Sequence, residues 1–279
     1  MAKGSIKRQN LNTPSHVVLV IWSAIVIFPL WIMVINSFKD RLSIYQSPFG
    51  LPKTWNIANY GAVLGDSDFL GYFKNSLVVV VLSLFILVVV SSLASYALAN
   101  WRGKISRGLY FFCIAGMMLP IKIASIRILE LVRSLGLLNT IWSLIPIYVA
   151  MGVPVGIFVL TEFIREIPRE LTEAGIIDGA GRLQVFAWII TPLLRPALAT
   201  VAIYNLVPFW NDLWFPLIFI TDEGAKTVLL GVTRLFGQYQ TDWSKVLAVL
   251  TLSAIPVLAL YLMMSKQFIK GLTAGAVKG

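Results

Sequence analysis

The chain has 279 residues, 58% of them hydrophobic and 13% charged, with a net charge of +10 and a mean hydropathy of +0.81. A soluble domain carries roughly 25% charged residues, so this apolar excess is more than a water-facing protein can bury and points to an integral membrane protein. The basic residues gather at the ends of apolar runs, the pattern of anchoring beside anionic lipid, which excludes a nucleic-acid reading of the charge.

Lys3, Lys7 and Arg8 precede an uncharged run over 17–35. The charge order is that of a signal peptide, but the run is 19 residues long, which exceeds a signal core, and no small-residue cleavage site follows. The run is expected to be a retained first transmembrane helix, with 1–16 as a cytoplasmic tail and His16 at the interface. Residues 39–72, with Pro48, Pro52 and several aromatics, read as an extracytoplasmic connection. Three further runs carry no charge: 75–101, 134–161 and 246–265, of 27, 28 and 20 residues. Each reaches the roughly 20 residues of helix that a bilayer core takes.

Two spans are less regular. Residues 108–121 are only 14 uncharged positions before Lys122. A crossing there needs extension through 123–129, with Lys122 and Arg127 snorkelling or facing protein. Residues 183–220 are interrupted by Pro192, Arg195, Pro196, Pro208 and Asp212, as in broken helices that line protein or a water-filled cavity. The fold class is therefore all-α and polytopic, with six transmembrane helices within 17–266 and a tail over 267–279. In the second span Ser91, Ser95 and Ala99 recur at i, i+4 and i+8. That face suits close helix packing, with a pathway-lining surface as the alternative.

Six spans put both termini on one side of the membrane. The short loop with Arg102, Lys104 and Arg107, the two tails, and Arg165, Arg169, Arg182 and Arg195 bring 13 of the 23 Lys and Arg residues to that side. The positive-inside rule makes it the cytoplasm. The long loop on this side, 163–182, holds a short amphipathic helix that starts after Pro168 and stops at Asp178, Gly179 and Gly181. Its apolar residues Leu171, Ala174 and Ile177 recur at i, i+3 and i+6. The stripe is too short to span, and its near-zero net charge favours a protein partner over anionic lipid.

From Glu173 to Pro192 the loop resembles the EAA loop of binding-protein-dependent ABC importer permeases: E-A-A, three residues, G, nine residues, I, one residue, L-P. Glu173, Ala174, Gly179, Ile189 and Pro192 stand at the matching positions, while Gly175 replaces the second Ala and Thr191 the Leu. By helix propensity Gly175 is expected to loosen the helix by up to about 1 kcal/mol relative to Ala. Further segments, FPLWIMVINSFK (28–39), YFKNSL (72–77), SLASYALA (92–99), LGLLNT (135–140), 195–221 and KGLTAGAVKG (270–279), are similar to the carbohydrate-uptake class, in its maltose-transporter G-subunit branch.

The resemblance implies a multi-pass permease of the bacterial inner (plasma) membrane and not an enzyme. It implies a second permease subunit, two ATPase subunits, a periplasmic or extracellular solute-binding protein and a carbohydrate substrate. It makes the loop helix a coupling helix, with Glu170, Glu173, Ala174, Gly175, Asp178, Gly179 and Ala180 meeting the ATPase. It sends the tail residues Ala276, Val277, Lys278 and Gly279 into the ATPase dimer. No G-x-x-x-x-G-K-[ST] loop occurs in the sequence, so ATP and Mg would be bound by the partner ATPases and no cofactor by this chain.

Trp210, Asn211, Asp212 and Trp214 combine aromatic faces with polar groups at a broken span. They are candidates for the translocation pathway or, for the tryptophans, interfacial anchors. One His and one Cys, His16 and Cys113, exclude the usual zinc, haem and iron–sulfur sites. Neither a metal constellation nor G-x-S-x-G occurs in the sequence to support a membrane enzyme. An ion-coupled transporter would rest on Asp212 as its intramembrane carboxylate. Within the family, a polyol phosphate or a sugar acid is the alternative solute.

Overall fold

The computed structural model describes residues 13–65, 67–101, 103–236 and 241–276. The helices are α1 Thr13–Ser37, α2 Arg41–Gln46, α3 Ala58–Gly65, α4 Ser67–Asn100 and α5 Lys104–Ala115. They continue with α6 Ser125–Ser134, α7 Leu144–Glu166, α8 Arg169–Ile177, α9 Arg182–Val185 and α10 Thr191–Leu193. The last four are α11 Arg195–Trp210, α12 Trp214–Phe219, α13 Val228–Val232 and α14 Trp243–Ala276. The one extended pairing among the described residues is an isolated bridge between Phe236 and Thr241. The described residues form two compact units, one within Met1–Gly65 and Leu235–Leu252, the other within Asp66–Arg234 and Ser253–Gly279.

Among the described residues, four helical stretches are long and apolar enough to cross a membrane: Pro14–Ser37, Asp68–Asn100, Ile141–Glu166 and Trp243–Met263. Two bent pairs bring the number to six if each is one span: Lys104–Met118 with Ile121–Ser134, at 82°, and Arg182–Leu193 with Arg195–Trp210, at 74°.

The third span is therefore not the continuous crossing expected over 108–129. Leu119 and Pro120 are extended, with ψ of 120° and 91°. Proline lacks an amide donor and disfavours helical geometry in the residue before it. The fourth span starts later than its uncharged run. Gly136 and Asn139 both take positive φ, 68° and 59°, and residues 134–140 become a connector. The fifth span bends at Leu194, between Pro192 and Pro196, after a π-helical stretch at Phe186–Ile190. Thr191 Oγ1 donates to the Phe186 carbonyl at 2.9 Å, which supplies a partner where the regular ladder is disturbed. A second break at Asn211–Leu213 separates α12. At the C-terminus the helix runs on through Ala276.

In the first unit, the end of α1 is tied by side chains. Lys39 is 2% exposed, and its Nζ donates to Asn36 Oδ1 at 2.8 Å and to the Ser47 carbonyl at 2.7 Å. Asn36 Nδ2 in turn donates to the carbonyls of Ile32 and Pro48, each at 2.8 Å. These bonds satisfy carbonyls at the helix end and compensate for burying a cation. Burial lowers the Lys39 pKa from its ordinary 10.5.

In the second unit, α7 is the central element, packed by α4, α5 and α11. Gly152 and Gly156 remove two side chains from its α4 face. A Cβ at Gly152 would lie 2.5 Å from Leu87 Cδ2, and one at Gly156 would lie 2.7 Å from Ser91 Cβ. Ser91 and Ser95 are fully buried there, and Ser95 Oγ donates to the Ile157 carbonyl at 3.4 Å. Small residues on both helices let the backbones approach, which is how helices associate where lipid removes the hydrophobic incentive. Ser91 and Ser95 thus pack against α7, the first of the two readings their spacing allows.

Candidate functional site

The loop helix α8 begins at Arg169, with Pro168 as its N-cap residue. It ends in a Schellman motif. Ala180 N donates to the Gly175 carbonyl at 2.9 Å and Gly179 N to the Ile176 carbonyl at 3.0 Å. Gly179 has φ +86°, a conformation that favours a residue without Cβ. Gln184 Oε1 then accepts the Gly181 amide at 2.7 Å and starts the next helix.

One face of α8 is pinned down. Gly175 is its single buried residue, and a Cβ there would come within 2.6 Å of Ile189 Cδ1. The other face is open: Glu170, Leu171, Glu173, Ala174, Ile177, Asp178 and Gly179 are all exposed, and Ala180 is half-buried. Among the described residues, the carboxylates of Glu170, Glu173 and Asp178 have no hydrogen-bond or ion-pair partner. The helix is thus anchored at its back and presents carboxylates and apolar side chains in front.

The four candidates at the α11–α12 break fall into different surroundings. Trp210 is 5% exposed, its Nε1 donates to the Ser253 carbonyl at 3.0 Å, and its ring packs edge-on to Phe73. Asp212 accepts from the Tyr148 hydroxyl at 3.0 Å and from the amides of Trp214 and Phe215 at 3.1 and 3.3 Å. Its carboxylate therefore starts α12 and ties it to α7. Trp214 is 43% exposed, with Nε1 donating to Ser125 Oγ at 2.8 Å and Lys122 Nζ 5.5 Å from the ring centroid. Asn211 is exposed.

The sequence pattern has Lys122 snorkelling or facing protein and does not single out Ser125 or Tyr148. The broken stretch at Pro120 is the signal that brings the first two beside Trp214. Nothing in the local pattern marks Tyr148, which sits 64 residues from Asp212.

A further cluster joins the start of α4 to residues 223–234. Arg234 Nη1 lies 2.6 Å from both Asp68 Oδ2 and the Tyr72 hydroxyl oxygen, and the Tyr72 hydroxyl meets Glu223 Oε2 at 2.8 Å. Lys226 Nζ closes on Glu223 Oε1 at 2.6 Å. These bonds hold the Glu223 carboxyl below its ordinary pKa of 4.5, the bond from Lys226 contributing most, then that from Tyr72. The bond to Asp68 contributes most to raising the pKa of Arg234 above its ordinary value. Among the described residues, no group of three or more His, Cys, Asp or Glu side chains is placed to hold a metal.

Of the tail candidates, Ala276 ends α14, while Val277, Lys278 and Gly279 lie outside the described residues.

Residues 88–271 match the family described as binding-protein-dependent transport system inner membrane component. The putative ABC transporter permease protein ORF2 of Caldicellulosiruptor is 37% identical over 262 residues, 94% of this chain and 95% of its own. The diacetylchitobiose uptake system permease protein NgcG of Streptomyces coelicolor is 32% identical over 95% of this chain and 88% of its own. A chain in the crystal structure of a bacterial ABC transporter that imports the acidic polysaccharide alginate superposes with a TM-score of 0.79 at 22% identity, covering 91% of this chain and 95% of that one.

Proposed function

This chain belongs to the family of binding-protein-dependent transport system inner membrane components, and on that premise we propose that it is a transmembrane permease subunit of an ATP-driven importer of sugars or oligosaccharides. The pathway forms between this chain and a second permease subunit. Two ATPase subunits bind ATP and Mg on the cytoplasmic side, where both termini lie, and a binding protein delivers the carbohydrate outside.

The observation that carries the reading is α8: exposed carboxylates and apolar side chains in front, and a buried Gly175 held against the segment that leads into the next span. A helix seated in this way passes on a push from a partner as rigid-body motion of the helices it joins. Glu170, Glu173, Ala174, Asp178, Gly179 and Ala180 are its docking residues, and Gly175 is its anchor. The end of α14 at Ala276, with Val277, Lys278 and Gly279, reaches the ATPase dimer. Asn211 and Trp214, open to their surroundings, line the pathway, whereas Trp210 and Asp212 hold the break in shape.

The sugar assignment follows the names of relatives such as the diacetylchitobiose permease, and a polyol phosphate or sugar acid is the alternative cargo. The test is sugar-stimulated ATPase activity of the reconstituted transporter with its binding protein. Glu173→Ala is expected to assemble and to lose the stimulation while keeping the spans folded. Unchanged stimulation removes Glu173 from coupling, and absence of any co-purifying ATPase removes the reading as a whole.

A further inference from the structure

The chain is built inside out where α1 ends. Asn36, Ser37 and Lys39 are buried, whereas Leu42, Tyr45, Phe49, Leu51, Trp55 and Ile57 in the segment that follows are exposed. A segment surrounded by water arranges its side chains the other way round. An exposed apolar surface of this kind marks contact with a membrane or a protein.

The polar groups inside serve the backbone. The last four carbonyls of a helix have no regular partner within it. Here the Val34 carbonyl accepts Ser37 Oγ at 2.6 Å, and that of Ser37 accepts Asn59 Nδ2 at 2.9 Å. Those of Ile35 and Asn36 accept the amides of Phe38 and Lys39 at 3.4 and 3.1 Å. The next two carbonyls, of Phe38 and Lys39, accept the Asn56 amide and Asn59 Nδ2, each at 2.9 Å. Asn36 and Lys39 reach across to the carbonyls of Pro48 and Ser47. Each of these carbonyls is met by the chain itself, which hydrocarbon demands and water does not.

The segment also turns back along α1. Trp55 packs edge-on to Phe38, just past the helix end, with ring centroids 5.3 Å apart, whereas Phe49 stacks on Phe28 at 6.2 Å. Phe28 stands seven residues before Ile35, where the apolar run over 17–35 ends, roughly 10 Å of helix at 1.5 Å per residue. Even with the whole 6.2 Å pointing outward, the Phe49 ring stays level with that run. Phe49 is 71% and Phe28 52% exposed, so the two rings form one surface continuous with the exposed flank of α1. Leu42 and Tyr45, at i and i+3 of α2, share a face. Asp40 and Arg41 stand beyond the helix end, and the stem of Lys53 is long enough to bring its charge to that level.

We infer that residues 42–57 bed in the membrane, with Phe49 among the acyl chains of the leaflet in which α1 ends and Tyr45 and Trp55 at its headgroups. Tyrosine and tryptophan are the residues that settle at that level, and an anchor of this kind fixes the depth and tilt of the helix it follows. The inference rests on α1 crossing the membrane, as the function proposed above requires, but its test reads depth and not transport.

Phe49→Cys, Tyr45→Cys, Ile27→Cys and Asp40→Cys are each made in a Cys113→Ser chain and labelled with a nitroxide. The chain is assembled with partner subunits that lack cysteine, in vesicles of phosphatidylethanolamine and phosphatidylglycerol. Collisions with oxygen, which gathers in hydrocarbon, are compared with collisions with a neutral nickel chelate, which stays in water. The oxygen-to-nickel ratio at Phe49→Cys is expected to match that at Ile27→Cys and to exceed that at Asp40→Cys severalfold, with Tyr45→Cys between.

A nickel-dominated ratio at Phe49→Cys puts the segment in water and overturns the inference. Few collisions with either reagent, at Phe49→Cys and Tyr45→Cys alike, mean that a protein subunit covers the surface, and overturn it as well. If Ile27→Cys is also open to nickel, α1 is not a span and the proposed function fails too. If Ile27→Cys lies in lipid while Phe49→Cys does not, the inference fails alone.

Discussion

At Gly175, propensity and packing pull in opposite directions. A helix interior prefers alanine to glycine by about 1 kcal/mol, and the family pattern has alanine there. In this chain the added methyl would lie 2.6 Å from Ile189 Cδ1 and 3.3 Å from Val185 Cγ2. Overpacking costs about 1–3 kcal/mol where the neighbour is held, but Ile189 Cδ1 is the far end of a half-buried side chain that can turn aside, so propensity is expected to decide the sign. Gly175→Ala is therefore expected to raise the thermal midpoint of the purified chain, read by fluorescence melting. A lowered midpoint would mean that Ile189 is held in place and that packing governs the site. From the sequence, only the propensity half of this balance is legible, because Ile189 is a distant position in a different helix.

At the scale of elements, the breaks are the most legible feature of the sequence. Pro192 and Pro196 mark the one in the fifth span by residue type alone, since proline withdraws a donor from the helical ladder wherever it stands, whereas the break at Pro120 falls inside the crossing expected over 108–129. The exact form of the breaks is less legible. The run over 134–140 carries no charge and reads as membrane, yet Gly136 and Asn139 turn it into a connector. Asn139 Oδ1 there accepts the Thr221 amide at 2.7 Å, a partner 82 residues away that no local pattern announces.

The role of Asp212 likewise depends on distant partners. Its three hydrogen bonds make it a helix-starting residue, and an ion-coupled carrier would need it to gain and lose a proton. Asp212→Asn keeps an oxygen for the Tyr148 hydroxyl and the Phe215 amide, which share Oδ2, and loses the acceptor for the Trp214 amide at Oδ1. It is expected to leave ATP-driven uptake within about threefold of the unsubstituted chain, since one lost hydrogen bond is worth roughly 0.5–1.5 kcal/mol. Abolished uptake with normal assembly would return the carboxylate to the transport step.

At the scale of the whole molecule, the Tyr72–Glu223–Arg234 cluster closes a long stretch of chain, joining Asp68 to a residue 166 positions later. The Glu223 carboxyl is depressed below 4.5 on folding. A carboxylate so shifted adds stability that is complete above its unfolded pKa and is lost as pH falls through its folded one. Arg234, shifted upward, stays protonated throughout. The closure is thus expected to hold at neutral pH and to loosen in strong acid. Hydrogen exchange over 222–234, taken relative to the intrinsic amide rate at each pH, should rise on acidification below pH 4.5, and Glu223→Gln should flatten that dependence. Acid-insensitive exchange in the unsubstituted chain would show that burial, not charge, holds the loop.

The seam between α4 and α7 sets what motions this chain allows itself. Ser91 sits in the hollow left by Gly156, and Leu87 in that left by Gly152. Sliding one helix along the other by a single residue, about 1.5 Å, would carry these side chains out of their hollows and onto neighbouring backbone. Tilting about the seam leaves them seated. The two helices are therefore coupled like a hinge pin in its knuckle, free to swing together and barred from telescoping.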